Sequence, residues 1–133
     1  AGRSRMRRRR SQARSPAVLL RGPAEVERSA NTDCGADIVL EGLTLPQVAA
    51  MLRRACLYVG NDSGISHLAA AVGATGLALF GPTDPAMWSP RGPHLQTLHA
   101  AEPCRQCGPD VFCVHRLPAD RVIEALESHF PLP

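Results

Sequence analysis

The sequence has 133 residues, of which 44% are hydrophobic and 20% are charged, with a formal net charge of +3 at pH 7. This length suits one domain with a core and excludes a second full domain, and the apolar content excludes a chain that is disordered throughout. The charge is uneven, because nine of the fifteen basic residues lie within residues 1–28 and the rest of the chain is mildly acidic.

The first sixteen residues, AGRSRMRRRRSQARSP, form an Arg-rich segment without apolar periodicity. Clustered Arg can bind nucleic acid or an anionic membrane surface by releasing counterions. The lack of interleaved aromatic residues favours the alternative, a solvated and disordered end. We therefore predict a disordered segment over 1–16, a folded domain over 17–133 and no nucleic-acid partner. Because the sequence does not begin with Met, it leaves open whether the chain is a fragment.

Targeting signals are not predicted. Only four apolar residues, 17–20, follow the basic run, whereas a signal peptide needs roughly seven to fifteen and a membrane span about twenty. Five cysteines are an odd number, which argues against a fully paired secreted framework and fits a reducing compartment. The sequence thus predicts a cytoplasmic protein.

From residue 17 onward, short apolar strands alternate with helices. We predict strands at 17–20, 37–42, 57–60, 76–81 and 95–99, and helices at 23–32, 45–55, 65–73 and 117–130, with a Pro-rich loop before the last strand. Thr44 and Gln47 form a predicted capping box, with Pro46 in the first turn of the second helix. Apolar strands joined by helical crossovers predict an α/β fold, a Rossmann-like three-layer domain with a mostly parallel sheet.

The third strand ends on the stretch GNDSG, residues 60–64, and ligands of such sheets bind outside the carboxyl ends of the strands. Gly60 is expected to let the chain turn and Gly64 to let a ligand approach the backbone, while a helix beginning near Ser63 points free N–H groups outward. A phosphate is the natural occupant. The alternative is an ordinary turn in which Asp62 or Ser63 caps the helix.

Residues 59–92, VGNDSGISHLAAAVGATGLALFGPTDPAMWSPRG, resemble the signature of the heptosyltransferase family, bacterial enzymes that transfer heptose from a nucleotide-diphosphate donor to the lipopolysaccharide core. The family's D-[TS]-G-x-x-H-L-A-A-A core is matched by 62–71, and its L-F-G-P-T-x-P-x-x-W-x-P stretch by 79–90. The likeness covers about residues 17–130, which corresponds to the C-terminal, donor-binding lobe of a GT-B glycosyltransferase. The family's N-terminal lobe, which binds the acceptor and carries the catalytic carboxylate, has no counterpart in these residues.

The resemblance implies inverting transfer of a heptose or related sugar from an ADP-heptose-like donor to a lipopolysaccharide core acceptor. It implies no cofactor and no metal at the donor site, and it leaves open a peripheral attachment to the inner face of the cytoplasmic membrane. The general base is expected in the N-terminal lobe, so no catalytic residue is assigned here and the isolated chain is expected to be inactive. A binding-only nucleotide-sugar module or an inactive fragment is the alternative, and a basic nucleic-acid-associated protein is a more distant one.

The central donor-binding candidates follow the third strand. The amides of Ser63, Gly64 and Ile65, with the Ser63 hydroxyl, are expected to stabilise charge on the leaving diphosphate. The family motif holds a His at position 67, and His67 is expected to donate to phosphate, with a structural cap as the alternative. Asp62 is expected to accept from sugar hydroxyls or to cap the helix, because like charges keep it away from a diphosphate.

Three further residues follow the first and fourth strands. Glu25 is placed to accept ribose hydroxyls, as acidic residues do in nucleotide-binding folds, and an exposed residue at a helix start is the alternative. Gly81 and Thr83 are expected to line the donor pocket. Trp88 is expected to anchor the Pro-rich loop by packing rather than to stack on a base.

The cysteines at the end of the chain suggest a second kind of site. Cys104, Cys107 and Cys113, with His115, supply four soft ligands that zinc could bind. The spacing from 107 to 113 is tighter than in common zinc ribbons, and the family resemblance accounts for cysteines here without a catalytic metal. The sequence therefore leaves zinc binding open.

Overall fold

The computed structural model describes residues 15–27, 35–109 and 111–130. The chain divides into two compact units, Ala1–Leu43 and Thr44–Pro133. Residues 1–14 of the predicted disordered segment and residues 28–32 of the first predicted helix lie outside the described residues. The prediction of one folded domain over 17–133 stays a prediction.

The Ala1–Leu43 unit contains a parallel pair of strands. Strand β1 (Val18–Arg21) leads into helix α1 (Pro23–Glu27), and strand β2 (Ile38–Glu41) pairs with β1 in parallel, with Val18 opposite Ile38. At the carboxyl end of the pair, Arg21 Nη1 donates to Glu41 Oε1 at 2.6 Å. Both predicted strands are confirmed, each within one or two residues of its expected bounds.

The Thr44–Pro133 unit contains a three-stranded parallel sheet whose strands lie side by side in chain order. Its elements in chain order are α2 (Leu45–Arg54), β3 (Tyr58–Asn61), α3 (Gly64–Ala71), β4 (Gly76–Phe80), α4 (Pro85–Trp88), β5 (Leu95–His99), a 3₁₀ turn (Val114–Arg116) and α5 (Ala119–His129). The alternating α/β pattern and the parallel pairing are confirmed. The predicted Pro-rich loop contains the short helix α4, which begins there because Asp84 Oδ1 accepts the Ala86 N–H at 2.9 Å.

The core of this unit lies between α3 and the sheet. Ala70, Ala78, Phe80 and Leu95 form one buried cluster, and Tyr58 packs against it. Phe80 is fully buried, and burial of such a side chain contributes about 1.5–3 kcal/mol. Small residues keep α3 close to its neighbours, since a Cβ added to Gly92 would lie 2.9 Å from the Ala70 carbonyl oxygen. The positions of β3 and α3 are therefore fixed by close packing.

The ends of α2 and α3 follow local sequence signals. The predicted capping box is confirmed, with the Thr44 N–H donating to Gln47 Oε1 at 2.8 Å. Helix α3 stops before Gly73, whose φ of 78° is a left-handed conformation that glycine adopts at low cost. The Gly73 N–H donates to the Ala70 carbonyl at 3.1 Å.

The C-terminal helix α5 spans 11 residues, Ala119–His129, two residues inside the predicted start. Leu126 and Val122 are half-buried, while Ile123 is exposed. None of the helices in the described ranges is long and apolar enough to cross a membrane.

Candidate functional site

The junction between β3 and α3 carries five of the predicted site residues. β3 ends at Asn61, and α3 begins at Gly64 with the extended residue Ser63 as its N-cap, which confirms the predicted helix start. The Asp62 N–H donates to the Leu79 carbonyl at 3.0 Å, which ties the junction to β4. The Ser63 side chain makes no capping hydrogen bond to α3. Its hydroxyl is therefore not used as the helix cap.

The start of α3 is open to solvent. Ser63, Gly64 and His67 are exposed, and Asp62 and Ile65 are half-buried. Apart from the adjacent residues and the backbone of α3 itself, no heavy atom of the described residues lies within 4 Å of a Cβ added to Gly64. The first N–H groups of a helix have no partner within the helix, and they carry the positive end of its dipole. The geometry thus provides N–H donors and free space for an anion.

Tyr58 supports this junction from the preceding strand. Its Oη lies 3.0 Å from Ser66 Oγ, and Ser66 Oγ donates to the Asn61 carbonyl at 2.5 Å. Since Ser66 uses its proton on Asn61, Tyr58 donates to Ser66. Ser66 is fully buried, so these bonds join the end of β3 to the first turn of α3.

The same contact explains Gly60. A Cβ at this position would lie 2.0 Å from Tyr58 Oη, so any other residue would displace the tyrosine side chain from its present position. Gly60 lies inside β3 rather than at a turn, and the predicted turn role is therefore wrong. Burial raises the pKa of Tyr58, while the hydrogen bonds that it makes with Ser66 and Ser63 oppose that shift. The hydroxyl stays protonated near neutral pH and remains a donor.

The end of β4 is enclosed by protein. Gly81 is buried, and a Cβ added there would lie 2.9 Å from both the backbone nitrogen and Cγ2 of Val114. Nε2 of His99, the last residue of β5, lies 2.9 Å from the Gly81 carbonyl oxygen. The His99 ring also packs on Phe112, with 4.9 Å between the ring centroids. Segment 112–114 therefore fills the space beside Gly81.

A buried cysteine, Cys104, precedes segment 112–114 in the chain. Cys104 is 1% exposed. Burial raises the pKa of its thiol, but the backbone N–H groups of Gln106 and Cys107 and the thiols of Cys107 and Cys113 together lower it to about 6. Cys113, hydrogen-bonded to Cys107, has a pKa raised to about 12. Negative charge in this group of thiols is thus favoured on Cys104.

The sheet register brings two predicted groups of residues to one edge. Asn61 pairs with Leu79, so the loop that starts at Asp62 leaves the sheet beside the end of β4, where Gly81 follows. Thr83 lies two residues further on and is half-buried. Glu25 belongs to α1 in the other unit, and its side chain lies outside the described part of the chain.

Trp88 differs from its prediction. It lies at the end of α4 with 56% of its surface exposed, beside Met87 at 75%. The expected packing anchor is therefore wrong, because α4 turns these two side chains toward solvent instead of toward the sheet.

Sequence reasoning missed the supports of the site, namely Tyr58, Ser66 and His99. Each is held by a contact between residues that are 8 or 18 positions apart. The signal available for Ser66 was a polar residue on the apolar face of a predicted helix, which requires a hydrogen-bond partner when it is buried. The partner itself depends on the packing of α3 on β3.

Comparisons with known proteins agree on one family. The model of glycosyltransferase family 9, the heptosyltransferases, matches residues 9–111. A lipopolysaccharide heptosyltransferase 1 of Pseudomonas aeruginosa is 33% identical over 111 residues, which cover 82% of this chain and 31% of the relative. A lipopolysaccharide heptosyltransferase 3 of Escherichia coli is 32% identical over 94 residues, which cover 67% of this chain and 28% of the relative.

A solved structure shows the same fold. The glycosyl transferase family 9 protein from Veillonella parvula superposes with a TM-score of 0.67 at 25% identity, covering 84% of this chain and 35% of that protein. This likeness confirms the predicted Rossmann-like α/β fold. The chain spans about a third of the length of these relatives.

Proposed function

The chain belongs to glycosyltransferase family 9, the heptosyltransferases, and on this premise we propose that its Thr44–Pro133 unit binds the diphosphate of a nucleotide-sugar donor at the start of α3. The observation that carries the proposal is the open space at Gly64, where a Cβ would have no neighbour within 4 Å among the described residues. The N–H groups of Ser63, Gly64 and Ile65 face this space as donors. Preorganised donors of this kind stabilise charge that develops on a leaving diphosphate.

The side chains around the opening have distinct proposed roles. His67 is exposed one turn into α3 and donates to a phosphate oxygen. Asp62 accepts from sugar hydroxyls, because a carboxylate beside a diphosphate would be repelled. Thr83 and Gly81 belong to the same edge of the sheet, and their place in the donor pocket stays a prediction.

Binding is tested by calorimetry on the 133-residue chain with ADP, inorganic pyrophosphate and adenosine. We expect ADP and pyrophosphate to bind and adenosine to bind at least tenfold more weakly than ADP, because the donors at α3 recognise phosphate oxygens. Raising the salt concentration should lower the affinity for ADP, since the attraction between the donors and the phosphates is electrostatic. Equal affinities for ADP and adenosine would show that the diphosphate does not bind at this junction.

For the whole protein we propose inverting transfer of a heptose, or a related sugar, from an ADP-heptose-like donor to a lipopolysaccharide-type acceptor at the inner face of the cytoplasmic membrane. Transfer needs an acceptor oxygen held about 3 Å from the anomeric carbon and a general base within hydrogen-bond reach. The family resemblance assigns both to the opposite lobe. Asp62 and Asp84 are the acids near the motif, and Asp84 is already used as the cap of α4.

The transfer assay uses ADP-heptose and a lipid A core acceptor, with the 133-residue polypeptide alone and with an N-terminal lobe supplied from a relative. We expect binding without turnover for the polypeptide alone and turnover when both lobes are present. Turnover by the polypeptide alone would place the general base within these residues. Failure with both lobes, while ADP still binds, would favour a binding-only module.

Glu25 carries a separate proposal, that its carboxylate accepts the ribose hydroxyls of the donor. Glu25→Ala should then make the binding free energy of ADP less favourable by roughly 1–3 kcal/mol, the usual cost of losing hydrogen bonds to a charged group. Glu27→Ala is the matched control, because Glu27 is an exposed acid of the same helix. An unchanged affinity in Glu25→Ala, or an equal loss in both variants, would make Glu25 a surface charge.

A further inference from the structure

Three thiols converge between β5 and α5, and one imidazole lies beside the first of them. The Sγ atoms of Cys104, Cys107 and Cys113 all lie within 4.8 Å of one another. The Cys113 thiol donates to Cys107 Sγ at 3.4 Å, and His115 Nε2 lies 3.4 Å from Cys104 Sγ. We call these four residues the Cys–His cluster. None of its four residues belongs to the junction at α3.

Two turns of the backbone build the cluster. The N–H groups of Cys107 and Gly108 both donate to the Cys104 carbonyl, at 3.1 and 3.0 Å, so the chain folds back and brings the first two thiols together. Gly108 has a φ of 136°, a conformation that other residues rarely adopt. The 3₁₀ turn at Val114–Arg116 is closed by Arg116 N–H donating to the Cys113 carbonyl at 2.9 Å, and it brings His115 to Cys104.

Two of these separations are close to those of a tetrahedral zinc site. With bonds of about 2.3 Å to sulfur and about 2.0 Å to nitrogen, tetrahedral angles place two sulfur ligands about 3.8 Å apart and a sulfur and a nitrogen about 3.5 Å apart. The corresponding distances in this structure are 3.4 Å for Cys107–Cys113 and 3.4 Å for Cys104–His115. The spacing Cys-x₂-Cys between residues 104 and 107 is also one that structural zinc sites use.

A disulfide accounts for less of this arrangement. Cys107 and Cys113 are close enough to be oxidised to one, but Cys104, Cys107 and Cys113 are all free thiols in this structure. A disulfide would use two of the four side chains and would not explain why the buried Cys104 thiol lies beside His115. One metal ion uses all four.

We propose that the Cys–His cluster binds one zinc ion as a structural site with three sulfur ligands and one nitrogen ligand. Each thiol releases its proton to solvent as it binds, and the four protein ligands leave no open position for a reacting group. The ion would fix segment 104–115. Because Phe112 and Val114 of this segment contact Gly81, zinc would also hold the end of β4 in place.

The experiment uses the full 133-residue chain, stripped of metal under reducing conditions and titrated with zinc or cobalt(II). We expect one ion per chain, a higher melting temperature with zinc, and a cobalt spectrum of tetrahedral type with sulfur-to-metal charge transfer. X-ray absorption of the zinc form should fit three sulfurs at about 2.3 Å and one nitrogen at about 2.0 Å.

Variants assign the ligands. Cys113→Ser and His115→Ala should each lower zinc affinity by more than about tenfold, while Cys56→Ser, an exposed cysteine outside the cluster, should leave it unchanged. Cys104→Ser is the weaker test because Cys104 is buried and the variant can fail to fold. His115 is exposed and Cys113 half-buried, so those two variants keep the proposal testable.

Three results would overturn the proposal. One is the absence of bound zinc at equimolar metal in the reduced chain. A second is equal zinc affinity in the wild type, Cys113→Ser and His115→Ala. A third is an equal melting temperature of the reduced wild type in zinc and in chelator, since a structural ion stabilises the folded state by mass action.

Discussion

The carboxyl ends of β3 and β4 are neighbours in one parallel sheet, and a glycine of the family motif follows each of them, yet their surroundings are opposite. At Gly64 an added Cβ would meet nothing within 4 Å among the described residues, whereas at Gly81 it would meet Val114 at 2.9 Å. The first glycine leaves the space in which we propose that the diphosphate binds. The second allows another part of the same chain to pack closely. Two glycines of one motif thus differ in whether their surroundings are open or filled by the chain itself.

The strongest test of this comparison is Gly64→Val. Two methyl groups at the start of α3 would occupy the space proposed for the diphosphate, and we expect ADP affinity to fall by about 100-fold or more, which is about 2.7 kcal/mol. The fold should be unaffected, because the position is open and Val is a better helix former than Gly. Calorimetry with ADP and urea unfolding measure the two effects.

Ala71→Val is the matched control for this variant, since Ala71 is an exposed residue at the other end of α3. It adds the same methyl groups to the same helix and should leave ADP affinity unchanged. Unchanged affinity in Gly64→Val would show that the open space is not where the phosphates bind. A loss of the same size in both variants would trace the effect to the helix rather than to the site.

Gly81→Ala should show the reverse behaviour. The added Cβ would lie 2.9 Å from the backbone nitrogen of Val114, which cannot move away as a flexible side chain could. We expect a loss of about 1–3 kcal/mol in the free energy of unfolding, the usual cost of overpacking. Gly64→Ala is the paired control and should be neutral or slightly stabilising. Equal unfolding free energies for the two alanine variants would show that the two strand ends do not differ in how closely they are packed.

The sequence predicted the parts of this site that depend on local pattern. Short apolar strands and helix-start signals placed the start of α3 at Ser63, and the family motif identified the residues around it. It could not predict why Gly60 and Gly81 are glycines. Gly60 makes room for the Tyr58 hydroxyl on its way to Ser66, and Gly81 for a segment that begins more than thirty positions later. These features depend on how the elements pack against one another, and so does the exposure of Trp88.

The smallest effect is expected for Tyr58→Phe, which removes the bond that joins β3 to the first turn of α3. Ser66 Oγ still donates to the Asn61 carbonyl in this variant, so the loss near neutral pH should be about 0.5–1.5 kcal/mol of unfolding free energy.

The pH dependence of stability identifies the contribution of the hydroxyl itself. Burial raises the pKa of Tyr58 above 10.0 in the folded chain. Below that pH both states keep the proton and this group adds no pH dependence. Above it the unfolded chain loses the proton first, so the wild type should lose stability as the pH rises through the folded pKa, and the variant should not show this additional loss. Urea unfolding of both proteins at neutral pH and above pH 10 measures the difference between them. A difference that stays constant across this range would show that the Tyr58 hydroxyl is not held in the environment that the open junction requires.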